Sequence, residues 1–180
     1  MSRAAVPLLA LVLFMALLAI PSRVEAKSCG ILASCTCSVS TPSTLNFGAY
    51  DPFAGSDTTV NGTITVSCTA TGLIAVGLPY TVTLDTGLNS GSSYNPRKMK
   101  LTTGATLATY NVFKDSAGSQ ILGNGTSSTT TFTGTCTTAL LPLLGNTCSN
   151  DHLYYGRAFA GQTTLVPGTY NDTLVWTLTY

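Results

Sequence analysis

The sequence predicts an all-β protein: one exported domain of sandwich or barrel type that contains disulfides. Three observations predict it. Short Thr- and Val-rich runs alternate in polarity, turn residues rather than a helical period separate them, and six cysteines follow an export signal. We therefore expect little helix and a chain of short strands.

The first 26 residues have the pattern of a secretory signal peptide. Arg3 precedes an apolar run over residues 4–20, followed by Pro21 and a small-residue site at 24–26. A retained membrane anchor is the alternative, because the run approaches the length that spans a bilayer. The helix breaker and the Val-x-Ala site favour cleavage, so we expect an exported chain that begins at Lys27.

The charges of residues 27–180 nearly cancel, with six Asp, no Glu and six Lys or Arg. This balance favours neither nucleic acid nor an acidic substrate as a partner. Arg97, Lys98 and Lys100 form the one basic cluster, and they alternate with Met99 and Leu101. We expect a strand with one solvated face there, in preference to an anion site.

Three runs in the middle of the chain alternate between apolar and polar residues. Such alternation places the apolar members on one face of a strand. Turns are expected at 87–96 and 116–118, and strands at this spacing favour a sandwich or barrel. The predicted apolar faces are Ile64, Val66 and Cys68; Tyr80, Val82 and Leu84; and Ala108, Tyr110 and Val112.

The end of the chain predicts one regular strand from Thr169 onward. Its odd-numbered residues from Thr173 face one way, and a larger apolar set faces the other. An uncovered strand of this kind is prone to aggregation, so we expect a partner strand beside it. The apolar set is Tyr170, Leu174, Trp176, Leu178 and Tyr180.

An even number of cysteines in an exported chain indicates disulfides, with fifteen possible connectivities for six. One close pair brackets a loop, and another pair lies at the ends of strand-like runs. An exchange of Cys35 and Cys37 between partners stays open. The favoured pairs are Cys136 with Cys148, Cys37 with Cys68, and Cys29 with Cys35.

No catalytic or metal-binding pattern stands out. His152 is the one histidine, and Asp151 beside it would point to the opposite face of a strand, so we interpret His152 as a surface residue at the start of a strand. The aspartates are scattered rather than paired. Zinc at Cys29, Cys35 and Cys37 is disfavoured because no histidine lies nearby. We expect no enzyme, no metal and no cofactor.

Short motifs follow one another in a fixed order along the rest of the chain. Each is weak alone, and their order carries the information. They are Cys37-Ser38-Val39, Phe47-Gly48-Ala49-Tyr50-Asp51-Pro52, the stretch 62–68, Arg97-Lys98-Met99, the stretch 110–115, Gly123-Asn124-Gly125-Thr126, Tyr155-Gly156-Arg157, Gly161-Gln162 and the stretch 167–173.

With these motifs, residues 37–180 resemble the spore coat protein U domain family, which includes Csu-type subunits of archaic chaperone-usher pili. The resemblance implies an immunoglobulin-like sandwich that lacks its final strand and exposes a groove. It implies as partners a periplasmic chaperone that lends a strand, an outer-membrane usher, and other subunits whose N-terminal extensions replace that strand. The chain would pass through the periplasm to the cell surface, a fimbrium or the medium.

The resemblance also assigns roles to the last strand. Leu174, Trp176 and Leu178 would form part of the groove floor, and the strand's edge would receive the donor. The carboxylate of Tyr180 is a candidate anchor for a basic residue of the chaperone.

The chain departs from the family pattern in its N-terminal arm, residues 27–36, which is only about ten residues long and reaches at most roughly 33 to 36 Å. Ile31 and Ala33 alternate as a short donor strand does. A Cys29–Cys35 disulfide would instead pinch the arm into a ring. Such a subunit accepts a strand without donating one, which suits a fibre tip or a stand-alone coat role.

Two further departures concern leucines. Leu122 stands where relatives often carry tryptophan. Between Cys136 and Cys148, an insertion either exposes an adhesive patch or folds back onto the sandwich, and both readings stay open. Its leucines are Leu140, Leu141, Leu143 and Leu144.

The leading hypothesis is therefore a structural or adhesive subunit of a bacterial surface fibre or coat. The predicted organisation is a signal peptide at 1–26, an arm at 27–36 and a sandwich at 37–180. The alternative is a complete extracellular sandwich that binds carbohydrate or protein through its loops. A final strand supplied by the chain itself would distinguish that alternative.

Overall fold

The computed structural model describes residues 26–75, 77–137 and 146–180. These residues form nine strands, and within them no helix is long and apolar enough to cross a membrane. The strands are β1 Lys27–Val39, β2 Thr58–Ala75, β3 Leu78–Leu84, β4 Arg97–Leu101, β5 Leu107–Phe113, β6 Phe132–Cys136, β7 Asn146–Ala158, β8 Tyr170–Asn171 and β9 Trp176–Thr179.

The strands form two sheets that share one core. The larger sheet has the order β1-β2-β7-β5-β4-β8, and the smaller has the order β6-β3-β9. Every paired strand is antiparallel to its neighbour. Core residues come from both sheets, as the two facing layers of a sandwich require. The predicted all-β, immunoglobulin-like sandwich is confirmed.

The predicted alternation of faces is also confirmed. All nine side chains of the three predicted apolar faces are buried, with no more than 4% of any of them exposed. Those in β2 and β5 line the inner face of the larger sheet, and those in β3 line the inner face of the smaller one. The alternation of apolar and polar residues in the sequence therefore predicted correctly which side chains of these strands face the core.

The single long strand expected from Thr169 onward is wrong, because this run divides between the two sheets. Tyr170–Asn171 pairs with β4 in the larger sheet, and Trp176–Thr179 pairs with β3 in the smaller one. Between them the Val175 amide donates to Asp85 Oδ1 at 2.9 Å. A side chain thus satisfies an amide that a continuous ladder would have used.

Three disulfides stabilise the sandwich, and they join the same pairs that the sequence favoured: Cys29 with Cys35, Cys37 with Cys68, and Cys136 with Cys148. The second cross-links neighbouring strands, since Cys37 lies opposite Cys68 in the β1–β2 ladder. Residues 27–36 are continuous with 37–39 in β1, so the arm is part of a sheet.

Candidate functional site

The core is closed at β3 and open at β9. Leu174, Trp176, Leu178 and Tyr180 pack against the core but are only half-buried, whereas the inner side chains of the adjacent β3 are fully buried. The outward residues between them are exposed, including Val175 at 54%. Within the part of the chain that the structure describes, this last apolar face is therefore only partly covered.

The register of the β3–β9 ladder decides where the main chain of β9 points. Leu84 lies opposite Trp176, and its amide donates to the Gly123 oxygen on the far side of β3. In an antiparallel ladder such a pair turns its N–H and C=O groups away from each other. Trp176, and Leu178 two residues later, therefore direct these groups to the other edge of β9. No strand within 26–75, 77–137 or 146–180 pairs with that edge.

Segment 42–47 faces the beginning of this open edge. Tyr154 donates a 2.6 Å hydrogen bond to the Ser43 oxygen, and Phe47 meets Tyr110 edge-on with ring centroids 6.1 Å apart. Leu45 lies over Gly156, where a Cβ atom would approach it to 2.8 Å. These contacts hold the segment against the inner face of the larger sheet.

A cavity of about 380 Å³ separates segment 42–47 from Leu174 and Trp176. A second cavity of about 660 Å³ extends it along residues 44–50 and 165–171. Leu45, Phe47 and Met99 line both cavities. We call this space, bounded by segment 42–47 on one side and Leu174 and Trp176 on the other, the open groove.

Trp176 connects the open groove to an aromatic cluster that bridges the sheets. Its ring lies 5.0 Å from that of Tyr154 and is stacked 6.3 Å from that of Phe132. Phe132 stacks in turn on His152 at 4.7 Å, and His152 accepts or donates a 2.8 Å hydrogen bond with the Tyr80 hydroxyl. The one tryptophan of the chain therefore reports on both the groove and the core.

At the other end of β9, the start of β1 approaches the end of the chain. Lys27 Nζ donates a 2.7 Å hydrogen bond to the main-chain oxygen of Tyr180. Tyr180, the predicted anchor for a chaperone cation, thus contacts a cation of its own chain.

Two aspartates hold the crossover between β8 and β9. Asp172 accepts hydrogen bonds from the Leu88 amide at 3.0 Å, from Asn89 Nδ2 at 2.8 Å and from the Tyr110 hydroxyl at 2.6 Å. Asp85 accepts from the amides of Gly87 and Val175. These carboxylates position the chain that enters β9.

Arg97 is fully buried, so the expectation that the basic cluster lies on a solvated face is wrong for this residue. Its guanidinium donates to the main-chain oxygens of Asp85 and Leu122 and to Asn111 Oδ1, at 2.7 to 3.1 Å. Burial lowers its pKa, although nearby acidic groups oppose that shift. The sequence did contain this information, because Arg97 lies two residues from Met99 and four from Leu101 and so shares their face of the strand.

His152 lies inside β7 and faces the core, so its interpretation as a surface residue at a strand start is wrong. Its pKa is lowered by burial and by Lys114, against the attraction of Asp151. As expected, Asp151 points to the opposite face, where it accepts from Thr65 Oγ1. Within the described residues, no group of three or more His, Cys, Asp or Glu side chains forms a possible metal site.

The two arm residues predicted to act as donors have different environments. Ala33 is buried in the chain's own core, while Ile31 is 66% exposed. Both belong to β1, opposite Gly72 and Ile74 of β2. The four leucines predicted to form an adhesive loop, Leu140, Leu141, Leu143 and Leu144, lie outside the described residues.

The fold and the open groove define an immunoglobulin-like sandwich in which none of the described strands lies at the outer edge of β9. The chain belongs to the Spore Coat Protein U domain family, whose model matches residues 24–177. No curated protein matches it by sequence.

Fifteen chains of solved structures are similar to it. One belongs to the crystal structure of the CsuC-CsuE chaperone-tip adhesion subunit pre-assembly complex from the archaic chaperone-usher Csu pili of Acinetobacter baumannii. That match has a TM-score of 0.53 at 22% identity, and it covers 81% of this chain. The present chain spans 40% of the matched chain, and at this identity the likeness supports the fold.

Proposed function

We propose that this chain is a structural subunit of a bacterial surface fibre or coat, completed by a strand from another polypeptide. One observation carries the proposal: β9 has a half-buried inner face and an outer edge to which Trp176 and Leu178 turn their main-chain groups. An added strand would hydrogen-bond to that edge and cover the apolar face beneath it, which is the β-augmentation mode of recognition.

The partners that fit this groove are a periplasmic chaperone, an outer-membrane usher and other subunits. Family membership supports them, and export through the periplasm to the cell surface follows from the same assembly route. The role is structural rather than catalytic, because His152 is engaged by Tyr80 and Phe132 instead of facing an open site. The alternative of a complete ligand-binding sandwich requires a strand of the chain's own beside β9, and the described residues supply none.

Co-expression with and without a chaperone of this class tests the proposal. We expect a soluble one-to-one complex with the chaperone, and low yield or aggregation without it, because β9 leaves unpaired main chain and apolar surface. A stable, soluble monomer that is made equally well alone and does not bind the chaperone would contradict the proposal.

A matched pair of variants locates the contact. Leu178 faces inward and Thr177 faces outward on the same strand. Leu178→Ala is expected to weaken the chaperone complex about tenfold or more, since it removes apolar contact area. Thr177→Ala is expected to leave the affinity within about twofold, and equal effects of both variants would argue against an inner-face contact.

A further inference from the structure

The N-terminal arm is the strand that a fibre subunit would need to lend, and here it belongs to the chain's own sheet. Nine positions from Gly30 to Val39 pair with β2, between Val66 and Ala75. The Lys27 contact with Tyr180 holds the first residue of the same strand. All ten residues of the arm lie within β1.

The arm also supplies part of the core. The side chains of Cys29, Ala33 and Cys35 are buried, as is that of Cys37 directly after the arm, and all four belong to the core cluster. Withdrawing the arm would expose these side chains together with the β2 residues that pair with them. Donation to a second subunit would therefore cost this chain its own apolar burial.

Two disulfides make the arrangement covalent. Cys37–Cys68 ties the end of the segment to β2. Cys29–Cys35 closes a ring inside the segment and holds the two Cα atoms 5.8 Å apart. Six extended residues would span about 20 Å. β1 itself bends within this ring, where Leu32 has a φ of 52° and lies outside the paired positions of the β1–β2 ladder. A segment closed in this way cannot lie as one extended strand in a neighbour's groove.

We infer that this chain accepts a strand without donating one, so that it occupies the terminal position of its fibre or coat assembly. This inference rests on the proposed function. The occupant of the open groove is an extended segment of a different protein, not of a second copy of this chain. Apolar side chains at every second position of that segment would face Leu174, Trp176 and Leu178.

The experiment compares three forms of the disulfide-bonded chain starting at Lys27: the natural form and two forms with an N-terminal extension. One extension adds a flexible linker and about ten residues that alternate Val and Thr, a length typical of a strand. The matched extension replaces each Val with Ser. Native mass spectrometry counts copies per particle, and the fluorescence of Trp176 reports occupancy of the groove.

The natural chain is expected to form no discrete oligomers with a shifted Trp176 emission, even where part of it aggregates, and the Ser-containing form is expected to behave in the same way. The Val-containing form is expected to oligomerise and to shift the Trp176 emission to shorter wavelength. Oligomers of the natural chain that carry this same shift would overturn the inference and leave the proposed function standing. If the Val-containing form neither oligomerises nor shifts its emission, the groove accepts no strand and the proposed function itself fails.

Discussion

The Tyr110 hydroxyl donates a 2.6 Å hydrogen bond to Asp172 Oδ2, and this contact joins the middle of the larger sheet to the crossover that leads into β9. Asp172 also accepts from the Leu88 amide and from Asn89. The entry to β9 is therefore set by polar contacts from two separate parts of the chain.

Removing the Asp172 acceptor is expected to lower the free energy of unfolding more than removing one of its donors. Tyr110→Phe deletes one hydrogen bond and should lower the free energy of unfolding by about 1 kcal/mol. Asp172→Ala leaves three donors without this acceptor and should lower it by about 2 to 3 kcal/mol. Urea denaturation measures both values. Equal losses would mean that the Leu88 and Asn89 contacts contribute nothing.

Alkaline pH offers an independent check of the same contact. The pKa of Tyr110 is raised by burial, and further by its hydrogen bond to Asp172 and the charge of that carboxylate. The unfolded chain thus loses this proton at a lower pH than the folded chain does. The stabilisation that protonated Tyr110 contributes is therefore complete below a pH of about 10 and is lost as the pH rises above that value. The stability difference between wild type and Tyr110→Phe should shrink above pH 10. A difference that is constant from pH 8 to pH 11 would refute this assignment.

Replacing the buried guanidinium of Arg97 is expected to lower the free energy of unfolding strongly. Arg97→Met leaves the oxygens of Asp85, Leu122 and Asn111 without their donor, and should lower the free energy of unfolding by about 3 kcal/mol or more. Lys100→Met, at an exposed position of the same strand, is the control and should stay within about 0.5 kcal/mol of wild type. Similar losses for both would show that Arg97 is not held as described.

Acid is expected to destabilise the fold through His152. Burial, together with repulsion by Lys114, lowers its pKa, so the unfolded chain binds the proton more readily. The contribution of neutral His152 is complete above a pH of about 6.5 and is lost as the pH falls below that value. Thermal melts from pH 8 to pH 5 should show a falling midpoint that His152→Gln flattens. An unchanged slope in the variant would assign the acid sensitivity to other groups.

Gly62 leaves room for the ring of Tyr154, which is the residue directly opposite in the β2–β7 ladder. A Cβ at this position would lie 2.5 Å from the Tyr154 hydroxyl oxygen. Gly62→Ala should therefore lower stability by about 1 to 3 kcal/mol and alter Trp176 fluorescence, since Tyr154 contacts that ring. Gly55→Ala has nothing within 4 Å of its new carbon and should be nearly neutral. A neutral Gly62→Ala would contradict the close packing of Tyr154.

Only one wall of the open groove could be predicted from the sequence. The inward set of Leu174, Trp176 and Leu178 followed from alternation, and the family resemblance gave it a role. Segment 42–47 forms the opposite wall but carries no sustained alternation, because it is held by contacts to Tyr110, Tyr154 and Gly156 that are distant in the chain. Nothing local in the sequence indicated that placement.

The amino-acid sequence by itself determined which residues of each strand face the core, since side-chain direction in a strand alternates with a period of two whatever the strand's neighbours. Tertiary structure alone decided which sheet each strand joins. That choice divided the last run between two sheets at Asp172, placed main-chain oxygens of distant residues around the Arg97 guanidinium and set the Tyr80 hydroxyl against His152. Each of these outcomes depends on hydrogen-bond partners far along the chain, and a local pattern carries no information about them.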